Sequence, residues 1–434
     1  MPFNPSGFHR FRHPIPILPF FMDNYSLFIA RRMSLASNGG KNSPAIKVAV
    51  AAVALSVAVM LAAVAIVLGF KKEIHDKAVG FNSHITLYAA SQGEEGNTLT
   101  LTPTLANMMS DLPFVKEFNI QSVIPAILKT PTDFKGVYLK GLVGDQGRLF
   151  MQSNLIEGSV PDYSKEENRL KVLISEKAAR ELGLKTGDNI DTYFISDDVR
   201  VRRLKVAGVY NSHFEAYDDI LVFGDIATVQ QLGLLQPNQG TALLINVDDF
   251  DQVEQYSAEI QNKLTQALAD GILYRQYIVE NVQTQSVGLF RWLSLLDMNV
   301  AVVLALMTVV ACITLISGML IIILDKKRFI GLMKALGAPS AAIRRIFIYL
   351  AIKIAAIGLA IGNILMLALL FIQKHTHFIP LDPDSYYIDF VPVEISWISV
   401  AVLNLGVLIV IYVALVLPSR SVAKVSPAET MRYE

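Results

Sequence analysis

Four long apolar runs constrain this chain more than any other feature of its sequence. None of them contains a charged residue, and they occupy positions 48–70, 300–324, 354–372 and 395–417. A bilayer core about 30 Å thick requires about 20 helical residues to cross it. Each run therefore predicts a membrane-spanning helix, with the third span extended to 346–372 because the half-apolar stretch "IFIYLAIK" precedes it.

The distribution of lysine and arginine predicts how these helices are oriented. Residues 1–47 contain six Lys or Arg against one Asp, and the loop 325–345 is also basic. The loop 373–394 instead has one lysine against four carboxylates. The positive-inside rule places both termini and 325–345 in the cytoplasm, and hence 71–299 outside it. A mean hydropathy of +0.43 agrees with a multi-pass membrane protein that carries a large polar part.

The segment 71–299 shows a mixed pattern of short strands and helices. "HITLYAA" and "KVLIS" are typical of strands, "EKAARELGL" of a short helix, and "TALLINV" of a strand followed by a helix with apolar positions at Val253, Tyr256, Ile260 and Leu264. "VRVRRLKVAGVY" alternates and then changes phase near Arg203, which predicts a β-bulge there. We expect an α+β domain, joined to the first two spans by continuous helical stalks.

Catalytic and ion-coupling patterns are missing from the sequence. It contains no G-x-x-x-x-G-K-[S/T], H-E-x-x-H, C-x-x-C or G-x-S-x-G motif. The four apolar runs have no acidic residue of the kind that ion-coupled carriers place in the membrane. The chain alone is therefore not expected to be an enzyme or to bind a metal, and energy for transport has to come from another subunit.

The stretch "LDKKRFIGLMKALGAPSAAIRRIF", residues 324–347, connects the second and third spans. Four apolar residues recur in it at helical spacing and predict one stripe: Phe329, Leu332, Met333 and Leu336. Gly337 stands at the expected stop position, and Ser340 is placed to begin the next helix. This pattern predicts a short helix along the membrane face, acting either as a plain interfacial anchor or as a docking element for a partner.

The stretch 325–347 resembles the coupling region of the FtsX-like permeases of ABC transporters, except that Phe329-Ile330 replaces the family's common Glu-Ile pair. The terminal "LPSRSVAKVSPAETMRYE" resembles that family's ending. "YSLFIARRM", "LGFKKEIHDKAVGFNSHITL" and "VAGVYNSHFEAYDDILVFGDIATVQQLG" are similar to the lipoprotein-releasing permeases, the LolC/LolE group. The resemblance covers about residues 25–434.

This resemblance implies a membrane protein with four transmembrane helices and a large α+β extracytoplasmic domain of the MacB-like core type between helices 1 and 2. It implies a cytoplasmic ABC ATPase dimer that binds ATP and Mg, a second permease subunit, a lipoprotein substrate, a periplasmic carrier and membrane lipids as partners. This chain would itself hold no cofactor, and no nucleic-acid partner is expected. The residues implied to couple to the ATPase are Phe329, Gly331, Leu332, Ala335, Leu336 and Gly337.

The resemblance also implies a carrier-contact loop at 211–220, in which an exposed aromatic side chain among carboxylates is typical of a protein contact. The residues concerned are Phe214, Glu215, Tyr217 and Asp218. Rival interpretations are a macrolide-exporter-type or signalling FtsX-like permease, a cell-division permease, and a receptor or scaffold without an ATPase partner.

The predicted domain boundaries follow from the runs and the loops between them. They are a disordered leader 1–24, a cytoplasmic segment 25–47, a first span 48–70, an outer domain with stalks 71–299, a second span 300–324, a coupling loop 325–345, a third span 346–372, an outer loop 373–394, a fourth span 395–417 and a cytoplasmic tail 418–434.

Overall fold

A computed structural model describes residues 27–30, 44–90, 98–195 and 199–419. The predicted leader and most of the predicted tail lie outside these described residues. The chain divides into two compact units. The helical unit comprises the described residues of Met1–Leu68, Leu296–Thr376 and Val393–Glu434, and the mixed unit comprises those of Gly69–Leu295 and His377–Pro392.

The helices and strands are numbered in chain order. The helices are α1 (Pro44–Phe81), α2 (Pro103–Ser110), α3 (Gly144–Ser153), α4 (Glu176–Leu182), α5 (Glu215–Asp218), α6 (Ile226–Leu232), α7 (Val253–Ala269), α8 (Val282–Gln285), α9 (Val287–Asp325), α10 (Lys327–Ala335), α11 (Ser340–Thr376), α12 (Pro383–Tyr386) and α13 (Trp397–Ser419). The strands are β1 (Ile85–Ala89), β2 (Leu99–Thr100), β3 (Val115–Gln121), β4 (Val123–Lys129), β5 (Phe134–Leu142), β6 (Leu155–Gly158), β7 (Lys171–Ser175), β8 (Asn189–Ile195), β9 (Val199–Tyr210), β10 (Leu221–Asp225), β11 (Gln239–Gly240), β12 (Ala242–Val247) and β13 (Tyr277–Asn281).

Four helices of the described part are long and apolar enough to cross a membrane, as the sequence predicted. They are Ile46–Phe81 within α1, α9, α11 and Trp397–Val416 within α13. Helix α1 continues well beyond the first apolar run, to Phe81, and α9 begins well before the second, at Val287. The helical character of both predicted stalks is confirmed by these bounds.

Small residues bring α1 and α11 into close contact in the helical unit. A Cβ at Gly362 would lie 2.5 Å from the carbonyl oxygen of Ala54, and a Cβ at Gly358 would lie 2.8 Å from Cβ of Val53. Glycines four residues apart let two membrane helices approach backbone to backbone. Buried side chains from α1, α9, α10, α11 and α13 complete one apolar core around this crossing.

Two asparagines hydrogen-bond each other between α11 and α13. Asn363 Nδ2 donates to Asn404 Oδ1 at 2.7 Å, and Asn404 Nδ2 donates to Asn363 Oδ1 at 3.1 Å. Each amide also donates to a carbonyl of its own helix, that of Leu359 or Val400. The polar groups in these two apolar runs therefore satisfy each other and serve helix packing.

The mixed unit contains a four-stranded antiparallel sheet and a barrel. The sheet has the order β13-β1-β12-β3, and its apolar face buries residues of α2 and α7. Of the predicted apolar positions of α7, Val253, Ile260 and Leu264 are buried and Tyr256 is half-buried. This sheet, with α2 and α7 packed on it, is the α+β arrangement expected from "HITLYAA" and "TALLINV".

The barrel closes because strand β9 changes partners along its length. The order β6-β9-β7-β10-β5-β4-β8 is completed by a β9–β8 pairing, so six strands form a ring with β6 attached outside it. The first half of β9 pairs with β8, and its second half pairs with β6 and β7. The bulge predicted near Arg203 is wrong, since Arg203 pairs regularly with Asp191. The register instead shifts at Ala207, beside Gly208, where a Cβ would lie 2.8 Å from the carbonyl oxygen of Glu157.

Candidate functional site

The short helix α10 connects the second and third long apolar helices. It ends as predicted, because Gly337 adopts φ +86°, a backbone conformation that favours glycine. The N–H of Ala338 donates to the carbonyl of Met333 at 2.9 Å, and the N–H of Gly337 donates to that of Lys334 at 3.0 Å. These bonds satisfy the last carbonyls of the helix and redirect the chain into α11, which begins at Ser340.

The two faces of α10 differ sharply in exposure. Ile330 is fully buried and Met333 is 8% exposed, whereas Leu332 is 55% and Leu336 76% exposed. The predicted single stripe is therefore wrong at Met333. That side chain joins Ile330 in the core because the inward face of the helix is centred nearer to position 330 than the spacing suggested.

The six predicted coupling residues separate accordingly. Gly331 is buried, and Phe329 is half-buried against the apolar core of the helical unit. The exposed members are Leu332, Ala335, Leu336 and Gly337. We call the surface formed by Arg328, Leu332, Ala335 and Leu336, which recur at spacings of three and four residues, the outward face of α10.

The positive charges in the first turn of α10 do not stabilise the helix. Lys327 and Arg328 are exposed in its first turn, which has no acidic residue. Cations at a helix N-terminus oppose the macrodipole and cost a few tenths of a kcal/mol. These side chains are thus placed for a contact outside the helix, either with lipid headgroups or with another protein.

The four predicted carrier-contact residues lie on and beside α5. Phe214 is only 6% exposed, so its expected exposure is wrong. Its ring packs near Phe81 and Tyr387, at centroid distances of 6.3 and 4.9 Å. Tyr217 is half-buried and stacks on Phe81 at 4.5 Å. The aromatic side chains of this loop therefore hold it against the rest of the mixed unit.

The two carboxylates in this group have different environments. Asp218 is buried and accepts hydrogen bonds from the Ser212 hydroxyl at 2.6 Å and the Ser212 N–H at 3.1 Å. Burial raises the pKa of Asp218, and these two hydrogen bonds act in the opposite direction. Glu215 is exposed and forms an ion pair with Lys177 at 3.0 Å. Of the four predicted residues Glu215 is exposed and Tyr217 is half-buried, and their carrier role stays a prediction.

Sequence reasoning missed Lys77, whose amine is the buried polar centre of this region. Lys77 is 8% exposed and lies on the same helical face as Ile74, Ala78 and Phe81, all of them buried. A lysine at a periodic apolar position is a signal that could have identified it. Within the described ranges, no three His, Cys, Asp or Glu side chains are arranged to hold a metal ion.

Comparisons with known proteins match both units. The model of the FtsX-like permease C-terminal family covers residues 301–427, which include α10, and that of the MacB-like periplasmic core domain covers residues 48–263. The transmembrane protein LolC of the lipoprotein-releasing system of Xylella fastidiosa is 21% identical over 401 residues, 88% of this chain and 92% of that protein. LolE of Haemophilus influenzae is 25% identical over 395 residues, 87% of this chain and 92% of that protein.

A solved structure, the periplasmic region of MacB from Actinobacillus actinomycetemcomitans, matches 47% of this chain and 92% of its own, with 14% identity and a TM-score of 0.33. The family models and the two relatives agree with the motifs of the coupling region and with the four apolar helices. Residues 301–427 therefore match the FtsX-like permease C-terminal family, residues 48–263 match the MacB-like periplasmic core domain, and the chain as a whole resembles the lipoprotein-releasing transmembrane proteins LolC and LolE.

Proposed function

We propose that this chain is the inner-membrane permease subunit of an ABC transporter that releases lipoproteins to a periplasmic carrier. In this proposal both chain termini and α10 are cytoplasmic, and the domain inserted between the first and second spans is periplasmic. The basic character of 325–345 and the acidic character of 373–394 support this orientation.

The observation that carries the proposal is the outward face of α10. Leu332 and Leu336 are exposed on a helix whose other face is held firmly by the apolar core. Burying a fully exposed leucine side chain contributes about 1.5–3 kcal/mol. Because Leu332 is 55% and Leu336 76% exposed, a groove that covers both would gain about 2–4 kcal/mol before the costs of association. A cytoplasmic ABC ATPase, present as a dimer, is the partner we assign to this face.

The energy for release would come from ATP bound with Mg by that partner, with no cofactor in this chain. The four apolar runs contain no carboxylate that could couple transport to an ion gradient. Extracting a lipid anchor costs about 0.8 kcal/mol for each CH₂ that leaves the bilayer. Closure of the ATPase dimer would move α10 and, through the long helices, the periplasmic domain. A second permease subunit, either another copy or a homologue, would complete the complex within the membrane lipids.

The test is purification of the tagged full chain in mild detergent, comparing wild type with the double variant Leu332→Asp, Leu336→Asp. A matched control carries the same change at two exposed leucines of the mixed unit, Leu149→Asp and Leu170→Asp. Co-purified proteins are identified by mass spectrometry, and ATPase activity is recorded. We expect an ATPase and lipoproteins with the wild type and the control, and loss of the ATPase from the α10 variant.

Other outcomes separate the alternatives. An ATPase that co-purifies without lipoproteins favours the macrolide-exporter-type or signalling permease. Intact, monodisperse protein that brings down no ATPase in any sample would reduce α10 to an interfacial anchor and contradict the transporter proposal.

A further inference from the structure

The segment between the third and fourth apolar helices packs as part of the mixed unit. His377–Pro392, which we call the strap, groups with residues 69–295, although the chain continues from it directly into α11 on one side and towards α13 on the other. The strap contains α12 and a β-bridge between Pro380 and Phe390. It is thus an ordered element of the domain, joined covalently to two spanning helices.

One amine connects the strap to the loop 211–219. Lys77 Nζ donates to the carbonyl oxygen of Ser212 and to that of Tyr387, both at 2.8 Å. Lys77 belongs to α1, so three segments distant in sequence meet at this nitrogen atom. Removing the amine would leave the buried carbonyl of Ser212 and the part-buried carbonyl of Tyr387 without this donor, which is costly where water cannot replace it.

Two direct contacts join the same pair of segments. The rings of Phe214 and Tyr387 stack with centroids 4.9 Å apart and planes inclined by 29°. His213 Nε2 lies 3.0 Å from Oδ2 of Asp389. The loop and the strap are therefore held by an aromatic stack, a histidine–carboxylate pair and a shared lysine.

Two residues at these contacts have left-handed backbone conformations: His213 has φ 59° and Tyr387 has φ 62°. His377, the first residue of the strap, has φ 50°. Within the described residues only one other non-glycine residue, Leu234, has a positive φ. Left-handed conformations of such residues persist where surrounding contacts impose them, and they are common in segments that switch. Both sides of the contact would relax if it opened.

The charges around Lys77 also favour a closed contact. Burial lowers the pKa of Lys77, while the carboxylates of Glu73, Asp389 and Asp218 act to raise it. Asp389 lies on the strap and Asp218 lies on the loop, so the closed arrangement surrounds the amine with opposite charge from both segments. Opening would remove part of that compensation.

We propose that the strap is a latch for the loop 211–219: Lys77, Tyr387 and Asp389 hold the loop closed, and movement of the spanning helices joined to the strap releases it. This inference rests on the proposed function, because the loop is the surface that we predict to meet the periplasmic carrier. It assigns the regulation of that surface to the chain between the third and fourth spans.

The first test uses hydrogen–deuterium exchange on the full chain in lipid nanodiscs and requires neither an ATPase nor a lipoprotein. Lys77→Met keeps the length of the side chain and removes the amine, and Lys47→Met is the control at an exposed position of the same helix. We expect Lys77→Met to raise exchange at least tenfold in both the loop and the strap, with β10 unchanged, and Lys47→Met to raise neither. Faster exchange in only one segment, or in neither, overturns the latch.

Because Lys77→Met could unfold the domain more widely, a second variant acts from the surface. The Asp389 side chain is 55% exposed, so Asp389→Asn removes the charge with little loss of packing. It should raise exchange in both segments severalfold, and an unchanged rate in either segment contradicts the proposal.

The coupling to the spanning helices is tested separately on the complex that co-purifies with its ATPase. Trapping with a non-hydrolysable ATP analogue should change exchange of the loop and the strap together, and unchanged exchange in both would overturn this part of the inference. If no ATPase co-purifies, the proposed function fails, while the exchange results on the isolated chain still decide whether the latch exists.

Discussion

The outward face of α10 and the loop 211–219 look alike in sequence, but they differ in structure. Both are short stretches in which large apolar side chains alternate with charges. In α10, Leu332 and Leu336 remain exposed, whereas Phe214 of the loop is buried. An apolar residue in a polar stretch is available to a partner only if the chain does not already cover it. In the mixed unit the chain covers Phe214 itself, because its ring belongs to an aromatic cluster around Phe81. The centroids of four rings, including those of Phe214 and Tyr217, lie within 6.3 Å of that of Phe81.

The largest effect that separates the two regions is expected from truncation of Phe214. Phe214→Ala should lower the free energy of unfolding of the mixed unit by about 3–5 kcal/mol, because it opens a cavity in a packed cluster. Pulse proteolysis of the full chain in urea measures the change. Glu215→Ala, at the exposed neighbouring position, is the control and should change stability by less than about 0.5 kcal/mol. A loss below about 1 kcal/mol for Phe214→Ala would mean that its burial contributes little.

Within α10, the inward and outward faces should respond in opposite ways. Ile330→Ala removes a fully buried side chain and should cost about 2–4 kcal/mol of stability. Leu336→Ala should cost under about 1 kcal/mol and instead reduce the amount of co-purified ATPase severalfold. Thermal unfolding in detergent and quantitative mass spectrometry provide the two measurements. Equal destabilisation by both variants would remove the distinction between the faces.

A pH dependence is expected in the region that supports the loop. Lys140 Nζ is buried, 2.5 Å from the carbonyl oxygen of Phe81 and 3.3 Å from Oδ1 of Asn82. Burial lowers its pKa from 10.5 to about 7. The unfolded chain then binds more protons than the folded chain between about pH 7 and 10.5. Stability should therefore rise with pH over that interval, by up to about 1.4 kcal/mol per pH unit from this group.

Below about pH 7 both states carry the proton, so this contribution becomes constant. Lys140→Met should reduce the slope and leave the part that the lowered pKa of Lys77 supplies, as measured by pulse proteolysis at several pH values on either side of 7. A slope that persists unchanged in the variant would assign the pH dependence to another group.

The smallest expected effect concerns the turn that ends α10. Gly337 has φ +86°, and no atom lies within 4 Å of the position that a Cβ would occupy. Gly337→Ala should therefore destabilise through backbone strain alone, by about 1 kcal/mol. Gly288→Ala, in α9 with similarly open surroundings, should be neutral or stabilising by up to about 1 kcal/mol. The difference in melting temperature between the two variants checks the sign, and equal effects would contradict the strain argument.

Local patterns predicted the elements of the fold well, because their causes lie within a few residues. "KVLIS" forms β7, and "EKAAREL" forms α4, which begins after Ser175 and ends before Gly183 at φ 64°. The same holds for the four apolar helices and for the end of α10. Here the side chains that cap, terminate or solvate each element are neighbours in sequence.

The failures concern contacts between distant parts of the chain. The burial of Phe214 depends on Phe81 and Tyr387, and the role of Lys77 depends on carbonyl groups at 212 and 387. The residues of one short stretch do not indicate which distant residues they contact in the fold. The bulge was misplaced for a similar reason, since the register of β9 is set by β6 and β7 rather than by its own alternation.

The asparagine pair between α11 and α13 has an evolutionary consequence. Each amide hydrogen-bonds the other, so replacing one alone leaves the remaining amide without that partner in apolar surroundings. Replacing both by leucine leaves no polar side chain that requires a hydrogen bond. Single substitutions at Asn363 or Asn404 are therefore disfavoured steps, and the paired substitution is close to neutral. Among relatives, we expect these two positions to change together or not at all.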